Sequence, residues 1–197
     1  MQDKPIIVAL CGMPTSGKSE IQNILASNFG LTPFDDGVVL RNHCRELFGL
    51  SADDVTTQTG KARCTEIQGT TWENRKIIGE YGNILEMKFG EMTIPNWAIG
   101  SAMRDWRKGS EMLNRHNTGY SFGSVRRNQG MAYASIDGIV LEILRPEVES
   151  TGNVWDEYAQ EWVTHTYLNN TSSIHLLEED FTVFFQNILD TKMRKAA

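Results

Sequence analysis

One stretch near the amino terminus constrains the fold of this chain more than any other. An apolar, β-branched run, residues 6–11, leads directly into Gly-Met-Pro-Thr-Ser-Gly-Lys-Ser, residues 12–19. The second part has the G-x-x-x-x-G-K-S spacing of a phosphate-binding P-loop, which lies between a buried strand and the start of a helix. Ile21, Ile24 and Leu25 then recur at helical spacing. The sequence therefore predicts a strand, a phosphate-binding loop and a helix in immediate succession.

The residue types in this loop indicate what it binds. Glycines let the backbone turn tightly, so that successive N–H groups point inward around phosphate oxygens, and the helix adds the positive end of its dipole. Lys18 is expected to reach the β- and γ-phosphates, and the Ser19 hydroxyl is expected to hold Mg²⁺. ATP and Mg²⁺ are therefore the predicted cofactors. The predicted cofactor-binding residues are Gly12, Thr15, Ser16, Gly17, Lys18, Ser19 and Glu20.

Composition excludes several other classes of protein. The chain has 197 residues, enough for one domain with a small lid. No stretch approaches the about 20 apolar residues of a membrane-spanning helix, so no membrane partner is expected. The net charge of −6 argues against a stable nucleic-acid partner. Three scattered cysteines form no disulfide or metal pattern, and this predicts a reducing, cytoplasmic location.

The rest of the chain predicts further helices and strands. Residues 51–61 are polar and predict a loop, and Thr70 with Glu73 predicts a capping box for a helix that ends near Tyr81-Gly82-Asn83. Residues 119–125 and 139–144 read as strands. The polar segment 147–170 predicts a lid-like excursion, followed by a last strand at 173–177 and an amphipathic helix.

Charged residues at predicted strand ends are candidates for a second, acceptor site. Asp35 and Asp36 follow the extended piece 31–34, and in an α/β sheet such positions face the ligand crevice. Arg126 and Arg127 follow the strand at 119–125, where guanidinium groups can bind phosphate bidentately. The alternative for the acidic pair is a turn with a helix N-cap. Lys61 and Arg75 are further cations that could contact a substrate, and the alternative for both is a solvent-facing position.

Class-specific motifs narrow the choice among P-loop proteins. A GTPase needs Asn/Thr-Lys-x-Asp, whereas the nearest string here, residues 191–194, lacks the Asp. A motor-type ATPase needs an apolar run into Asp-Glu, and residues 139–142 do not provide it. A small kinase remains.

The chain resembles the deoxynucleoside monophosphate kinases of tailed bacteriophages over most of its length. The segments that carry the resemblance, beside the P-loop, are Phe34-Asp35-Asp36, Phe48-Gly49-Leu50, residues 54–61, Gly69-Thr70-Thr71, Arg75, Tyr81-Gly82-Asn83, Pro95 with Trp97, residues 124–127 and Arg145-Pro146. The resemblance implies an α/β fold, the P-loop NTPase three-layer sandwich with a central parallel sheet. It also implies one kinase domain over residues 1–197, with the lid-like segment at 147–170.

The resemblance further implies the reaction and the residues that carry it. The expected activity is transfer of the ATP γ-phosphoryl group to a deoxynucleoside 5′-monophosphate, with Lys18, Arg126 and Asp36 as the catalytic residues. The implied substrate-binding residues are Asp35, Asp36, Lys61, Arg75, Gly82, Asn83, Trp97, Arg126 and Arg127. Ser124 stands where the family usually has Asp. A kinase with another small-molecule acceptor, a nucleotide-binding protein without catalysis, and a homodimer are the open alternatives.

Overall fold

The computed structural model describes residues 4–110, 117–149 and 156–196. Its strands are β1 (Ile6–Cys11), β2 (Leu31–Phe34), β3 (Cys64–Ile67), β4 (Thr70–Glu73), β5 (Gly119–Phe122), β6 (Ile139–Leu144) and β7 (His165–Leu168). Its helices are α1 (Lys18–Phe29), α2 (Val38–Phe48), α3 (Ala52–Thr56), α4 (Gln58–Ala62), α5 (Asn74–Phe89), α6 (Thr93–Ser110), α7 (Gly130–Ala134) and α8 (Ile174–Ala196). A 3₁₀ turn occupies Gln160–Trp162.

Contacts along the chain divide it into two compact units. The sheet unit comprises Met1–Phe34 and Ala102–Ala197, and the inserted unit comprises Asp35–Ser101. The prediction of one domain included a lid-like segment at 147–170. Residues 150–155 of that segment lie outside the described residues.

The sheet unit is built on five parallel strands in the order β2-β5-β1-β6-β7. Strand β1 is central, and the chain visits β2 and β5 on one side of it before crossing to β6 and β7 on the other. The order of the strands therefore reverses at β1. Ligands of open α/β sheets bind at the carboxyl ends of the strands at such a point.

Side chains alternate between the two faces of this sheet, and each face is covered by helices. Val8, Leu10 and Leu141 point to one face and share a core with Leu25 of α1 and Phe181 of α8. On the opposite face, Phe122 of β5 packs on Tyr133 of α7, with ring centroids 5.0 Å apart. This arrangement confirms the predicted α/β fold with a central parallel sheet between two layers of helices.

The inserted unit has a smaller core of its own. Cys44, Leu50, Val55 and Ile77 are buried together, with Tyr81 packed against them. Its strands β3 and β4 form an antiparallel hairpin.

Three local predictions in the inserted unit are wrong. Residues 70–73 form strand β4 instead of a capping box, because Thr70 pairs with Ile67 across the hairpin and Glu73 makes no side-chain cap. Helix α5 continues past residues 81–83 to Phe89, with Leu85 buried in the additional turns, and Gly90 forms its C-cap. The predicted loop at 51–61 contains α3 and α4, whose N-terminal amides are capped by Ser51 and Thr57.

The carboxyl-terminal part of the sheet also differs from the prediction. The last strand is β7, which lies within the segment predicted as a lid, and residues 174–177 belong to helix α8 instead of a strand. Strand β7 pairs with β6 through Leu141 and His165. The strand is short and half-polar, so only its pairing with β6 identifies it. No helix within the described ranges is long and apolar enough to cross a membrane.

Candidate functional site

The loop at residues 12–17 leaves the carboxyl end of β1, where the strand order reverses, and ends at the first residue of α1. Gly12 has a φ of 140° and Gly17 a φ of 103°. A Cβ atom at Gly12 would lie 2.5 Å from the carbonyl oxygen of Ile143, and one at Gly17 would lie 2.6 Å from Nδ2 of Asn169. Both positions therefore require glycine, for conformation and for space.

The Lys18 ammonium lies over the loop. Its Nζ donates hydrogen bonds to the carbonyl oxygens of Gly12, at 2.7 Å, and Met13, at 2.8 Å. Burial lowers the pKa of Lys18; the charge of Asp156 acts in the opposite direction, and that of Arg126 lowers the pKa further. The carbonyl partners are neutral. An ionised phosphate oxygen is a stronger acceptor and would compete for the same ammonium group.

Ser16 provides a test of whether the loop fits a polar ligand. Its side chain is 1% exposed, and its Oγ is buried with no hydrogen-bond partner among the described residues. A buried hydroxyl in that state indicates a missing partner. Thr15, Ser19 and Glu20 are exposed at the same loop and first turn, where their side chains are open to a ligand. The loop therefore fits a nucleotide phosphate tail.

Asn169 is a residue of this site that sequence reasoning missed. It follows β7, is 3% exposed, and donates from Nδ2 to the carbonyl oxygen of Ser16 at 2.9 Å. Its Oδ1 accepts a hydrogen bond from Thr171 Oγ1 at 3.0 Å. The Asn169 side chain thus holds the Ser16–Gly17 peptide group in place through this hydrogen bond. No local signal marks it, because its partner is 153 positions away.

The two predicted arginines follow β5 in the sheet unit. Strand β5 ends at Phe122, and the chain beyond it stays beside β1, since the N–H of Val125 donates to the carbonyl oxygen of Leu10 at 3.1 Å. Arg126 is exposed, and Arg127 has a φ of 44°. Ser124 is half-buried. The charge of Arg126 lowers the pKa of Lys18, so a second cation acts on the ammonium group that lies over the loop.

Glu142 is a second residue that the sequence did not indicate. It lies near the carboxyl end of β6, beside Cys11 of β1, and is 4% exposed. Its carboxylate accepts hydrogen bonds from Tyr158 Oη at 2.7 Å, Gln160 Nε2 at 3.0 Å and Thr166 Oγ1 at 2.8 Å. Burial, followed by the charge of Glu142, raises the pKa of the Cys11 thiol to about 12.

The predicted acidic and basic residues of the inserted unit have different environments. Asp35 is exposed, forms an ion pair with Arg41 and accepts a hydrogen bond from the N–H of Gly37 at 3.1 Å. It therefore closes the turn before α2. Asp36 is 5% exposed. Lys61 lies in α4, and Arg75 is exposed and donates to Gln58 Oε1 at 2.7 Å.

The other predicted acceptor residues lie on helices of the same unit. Gly82 is buried in α5, where a Cβ would lie 3.3 Å from Leu40 Cδ2, and half-buried Asn83 follows it. The Trp97 ring lies against His43, with centroids 5.6 Å apart. His43 Nδ1 is also 3.5 Å from the hydroxyl of Tyr81. The predicted acceptor set is thus divided, with Arg126 and Arg127 in the sheet unit and the rest in the inserted unit.

Comparison with known proteins gives distant structural likenesses. No family model and no curated protein sequence matches this chain. Among solved structures, the chain is similar to dephospho-CoA kinase from Campylobacter jejuni, with 14% identity, a TM-score of 0.45, and coverage of 94% of this chain and 98% of that one. It is also similar to shikimate kinase from Aquifex aeolicus, with 14% identity, a TM-score of 0.41, and coverage of 93% and 98%.

Proposed function

We propose that this protein is an ATP-dependent kinase that phosphorylates a deoxynucleoside 5′-monophosphate to the diphosphate. The observation that carries the proposal is the geometry of residues 12–18. Two glycines are required there for conformation and space, a buried Ser16 hydroxyl has no partner among the described residues, and Lys18 lies over the loop. This combination is suited to an anionic phosphate tail.

The assigned roles follow from the charges involved. ATP with Mg²⁺, when bound, supplies the phosphoryl group and part of the charge neutralisation. Lys18 and Arg126 would stabilise the negative charge, and the Ser19 hydroxyl would hold the metal. No group of three His, Cys, Asp or Glu side chains suited to a metal occurs in the part of the chain that the structure describes. The proposed Mg²⁺ site uses the Ser19 hydroxyl together with the nucleotide phosphates.

The acceptor residues are proposed from the resemblance to the phage kinases. Asp36 is assigned an orienting role, because an acceptor phosphate is largely ionised at neutral pH and needs no strong base. Lys61 and Arg75 would neutralise the acceptor phosphate. Trp97, Gly82 and Asn83 would contact the remainder of the nucleotide. Location in the cytoplasm of an infected bacterium, and assembly as a homodimer, also remain proposals.

An acceptor panel tests the proposal. ADP release is measured with ATP and Mg²⁺ in the presence of dGMP, dTMP, dCMP or dAMP, and in parallel with acceptors that are not nucleotides. We expect ADP production that depends on at least one deoxynucleotide. Turnover only with an acceptor of another type would show a different small-molecule kinase. ATP binding by calorimetry without turnover would identify a non-catalytic nucleotide-binding protein.

Two lysine variants test whether phosphoryl transfer depends on Lys18. Lys18→Ala is expected to abolish phosphoryl transfer while the circular dichroism spectrum stays that of the native fold, because its hydrogen bonds are confined to the loop. Lys88→Ala, at an exposed position in the last turn of α5, is the matched control and should retain full turnover. Near-normal turnover of Lys18→Ala would refute the assignment of the site.

A further inference from the structure

The segment 157–160 is hydrogen-bonded both to the chain that follows β5 and to β6. On one side, the N–H of Arg127 donates to the carbonyl oxygen of Glu157 at 2.6 Å, and the N–H of Ala159 donates to the carbonyl oxygen of Arg127 at 2.8 Å. Arg127 and Tyr158 thus form a parallel β-bridge. On the other side, the side chains of Tyr158 and Gln160 donate to Glu142 of β6.

We propose that Glu142 is a positioning residue for the arginine pair: through Tyr158 and Gln160 it holds segment 157–160 against Arg127 and so keeps the backbone of residues 126–127 in its functional conformation. We call this set of contacts the Glu142 network; its members are Glu142, Tyr158, Gln160, Thr166 and the backbone of Arg127. The inference rests on the kinase function proposed above, in which Arg126 stabilises charge on the transferred group.

The burial of Glu142 opposes any opening of the network. A carboxylate that is 4% exposed needs hydrogen-bond donors, because a buried, unsatisfied charge is costly. Three neutral donors satisfy it here, one from β7 and two from segment 157–160. If segment 157–160 moved away, two of the three donors would leave the carboxylate. The buried charge therefore opposes that movement, as expected for a fully satisfied polar network.

The backbone of the arginine pair shows why it needs such support. Arg127 has a φ of 44°, in the left-handed region that residues with a Cβ rarely adopt. Such a conformation persists only where surrounding contacts determine it. The flanking contacts are the bridge to Tyr158 and, on the other side, Gln129, whose Oε1 accepts from the N–H of Arg126 at 3.2 Å. Positions of catalytic groups matter because small displacements reduce the rate strongly.

Hydrogen exchange tests the network without any nucleotide. Tyr158→Phe removes only the hydroxyl that donates to Glu142. We expect the amide protons of Arg127 and Ala159 to exchange at least about tenfold faster in this variant, because their hydrogen bonds open more often. The amide of Phe185, in the buried core of α8, reports the change in global stability, and the acceleration at Arg127 and Ala159 should exceed the acceleration at Phe185. Unchanged exchange at Arg127 and Ala159 would overturn the proposal even if the protein proved to be an active kinase.

Measurements of kcat and KM distinguish a positioning role of the Glu142 network from a general contribution to stability. In Tyr158→Phe, kcat should fall about tenfold or more while the KM for ATP stays within about twofold, since an interaction made only in the transition state is lost. Tyr167→Phe is the matched control. It removes a buried tyrosine hydroxyl that donates to Asp180 at 2.7 Å, outside the network, and should leave both constants and the two exchange rates unchanged. An equal effect of both variants on kcat would show a purely structural role and overturn the proposal.

A pair of substitutions at Glu142 examines the hydrogen bonds themselves. Glu142→Gln keeps the shape, and the Tyr158 hydroxyl can turn to accept from the new amide. Its kcat should stay within about threefold of the native value. Glu142→Leu loses all three hydrogen bonds and should match or exceed the loss in Tyr158→Phe. A Glu142→Gln enzyme as impaired as Glu142→Leu would contradict positioning through these hydrogen bonds. Should Glu142→Leu fail to fold, the Tyr158→Phe measurements decide alone.

Discussion

Replacing Asn169 with leucine tests whether residues far along the chain set the shape of the loop at residues 12–17. Leucine has a similar volume but no donor, so the carbonyl oxygen of Ser16 loses the hydrogen bond that Asn169 Nδ2 makes at 2.9 Å. Ser16 is 1% exposed, and a buried polar group without a partner costs about 1–3 kcal/mol. The free energy of unfolding should fall by an amount within that range.

The same loss sets the expected effect on nucleotide binding. If the whole loss falls on the binding conformation of the loop, the dissociation constant for ATP rises between about fivefold and about 150-fold, because about 1.4 kcal/mol corresponds to a factor of ten. Isothermal titration calorimetry with ATP and Mg²⁺ measures this directly, and urea unfolding gives the accompanying change in stability.

A neighbouring variant controls for disturbance of the segment after β7. Thr171→Val removes the hydroxyl that donates to Asn169 Oδ1 at 3.0 Å and leaves the contact to Ser16 in place. Its dissociation constant for ATP should change by less than about threefold. The reasoning is refuted if Asn169→Leu binds ATP within about twofold of the native affinity and its free energy of unfolding changes by less than about 0.5 kcal/mol.

The remaining predictions concern glycine conformation, a buried amide and thiol reactivity. Gly12→Ala places a Cβ 2.5 Å from the Ile143 carbonyl oxygen at a φ of 140°, and should lower the free energy of unfolding by at least about 2 kcal/mol in urea titrations. Gly49→Ala, at a φ of 68° with nothing within 4 Å, is its control and should cost only about 1–2 kcal/mol. Asn74 is 0% exposed; it accepts from Thr65 and donates to the Gly60 carbonyl oxygen. Asn74→Leu should therefore destabilise the fold by about 1–3 kcal/mol in the same assay, and a smaller change than Thr65→Val produces would contradict this. Burial raises the pKa of the Cys11 thiol to about 12 and that of the Cys44 thiol to about 11, so the reactive thiolate is scarce at both. Exposed Cys64 should be the one cysteine that a thiol reagent labels rapidly in the native protein at pH 8, and fast labelling of Cys11 or Cys44 before urea is added would contradict the buried positions.

The sequence by itself determined the strand, loop and helix of residues 6–29 and the class of fold. Residues 6–29 form strand, loop and helix as predicted, because the glycines, the lysine and the apolar run that specify them are neighbours in the chain. The prediction of a strand at residues 139–144 is likewise confirmed by β6, which is buried from Ile139 to Ile143. Local chemistry is sufficient in these places because it agrees with the tertiary structure.

Where local sequence signals were ambiguous or absent, only the tertiary structure determined which element formed and which residues made contact. Thr70 and Glu73 match a helix-capping pattern, yet pairing with residues 64–67 makes them a strand. Strand β7 is too short and polar to be distinguished until it lies beside β6. Asn169 and Glu142 carry no motif, and their importance comes from burial against partners brought together by folding. Hydrogen bonds between distant residues depend on the packing of whole elements, and no short stretch of sequence contains that information.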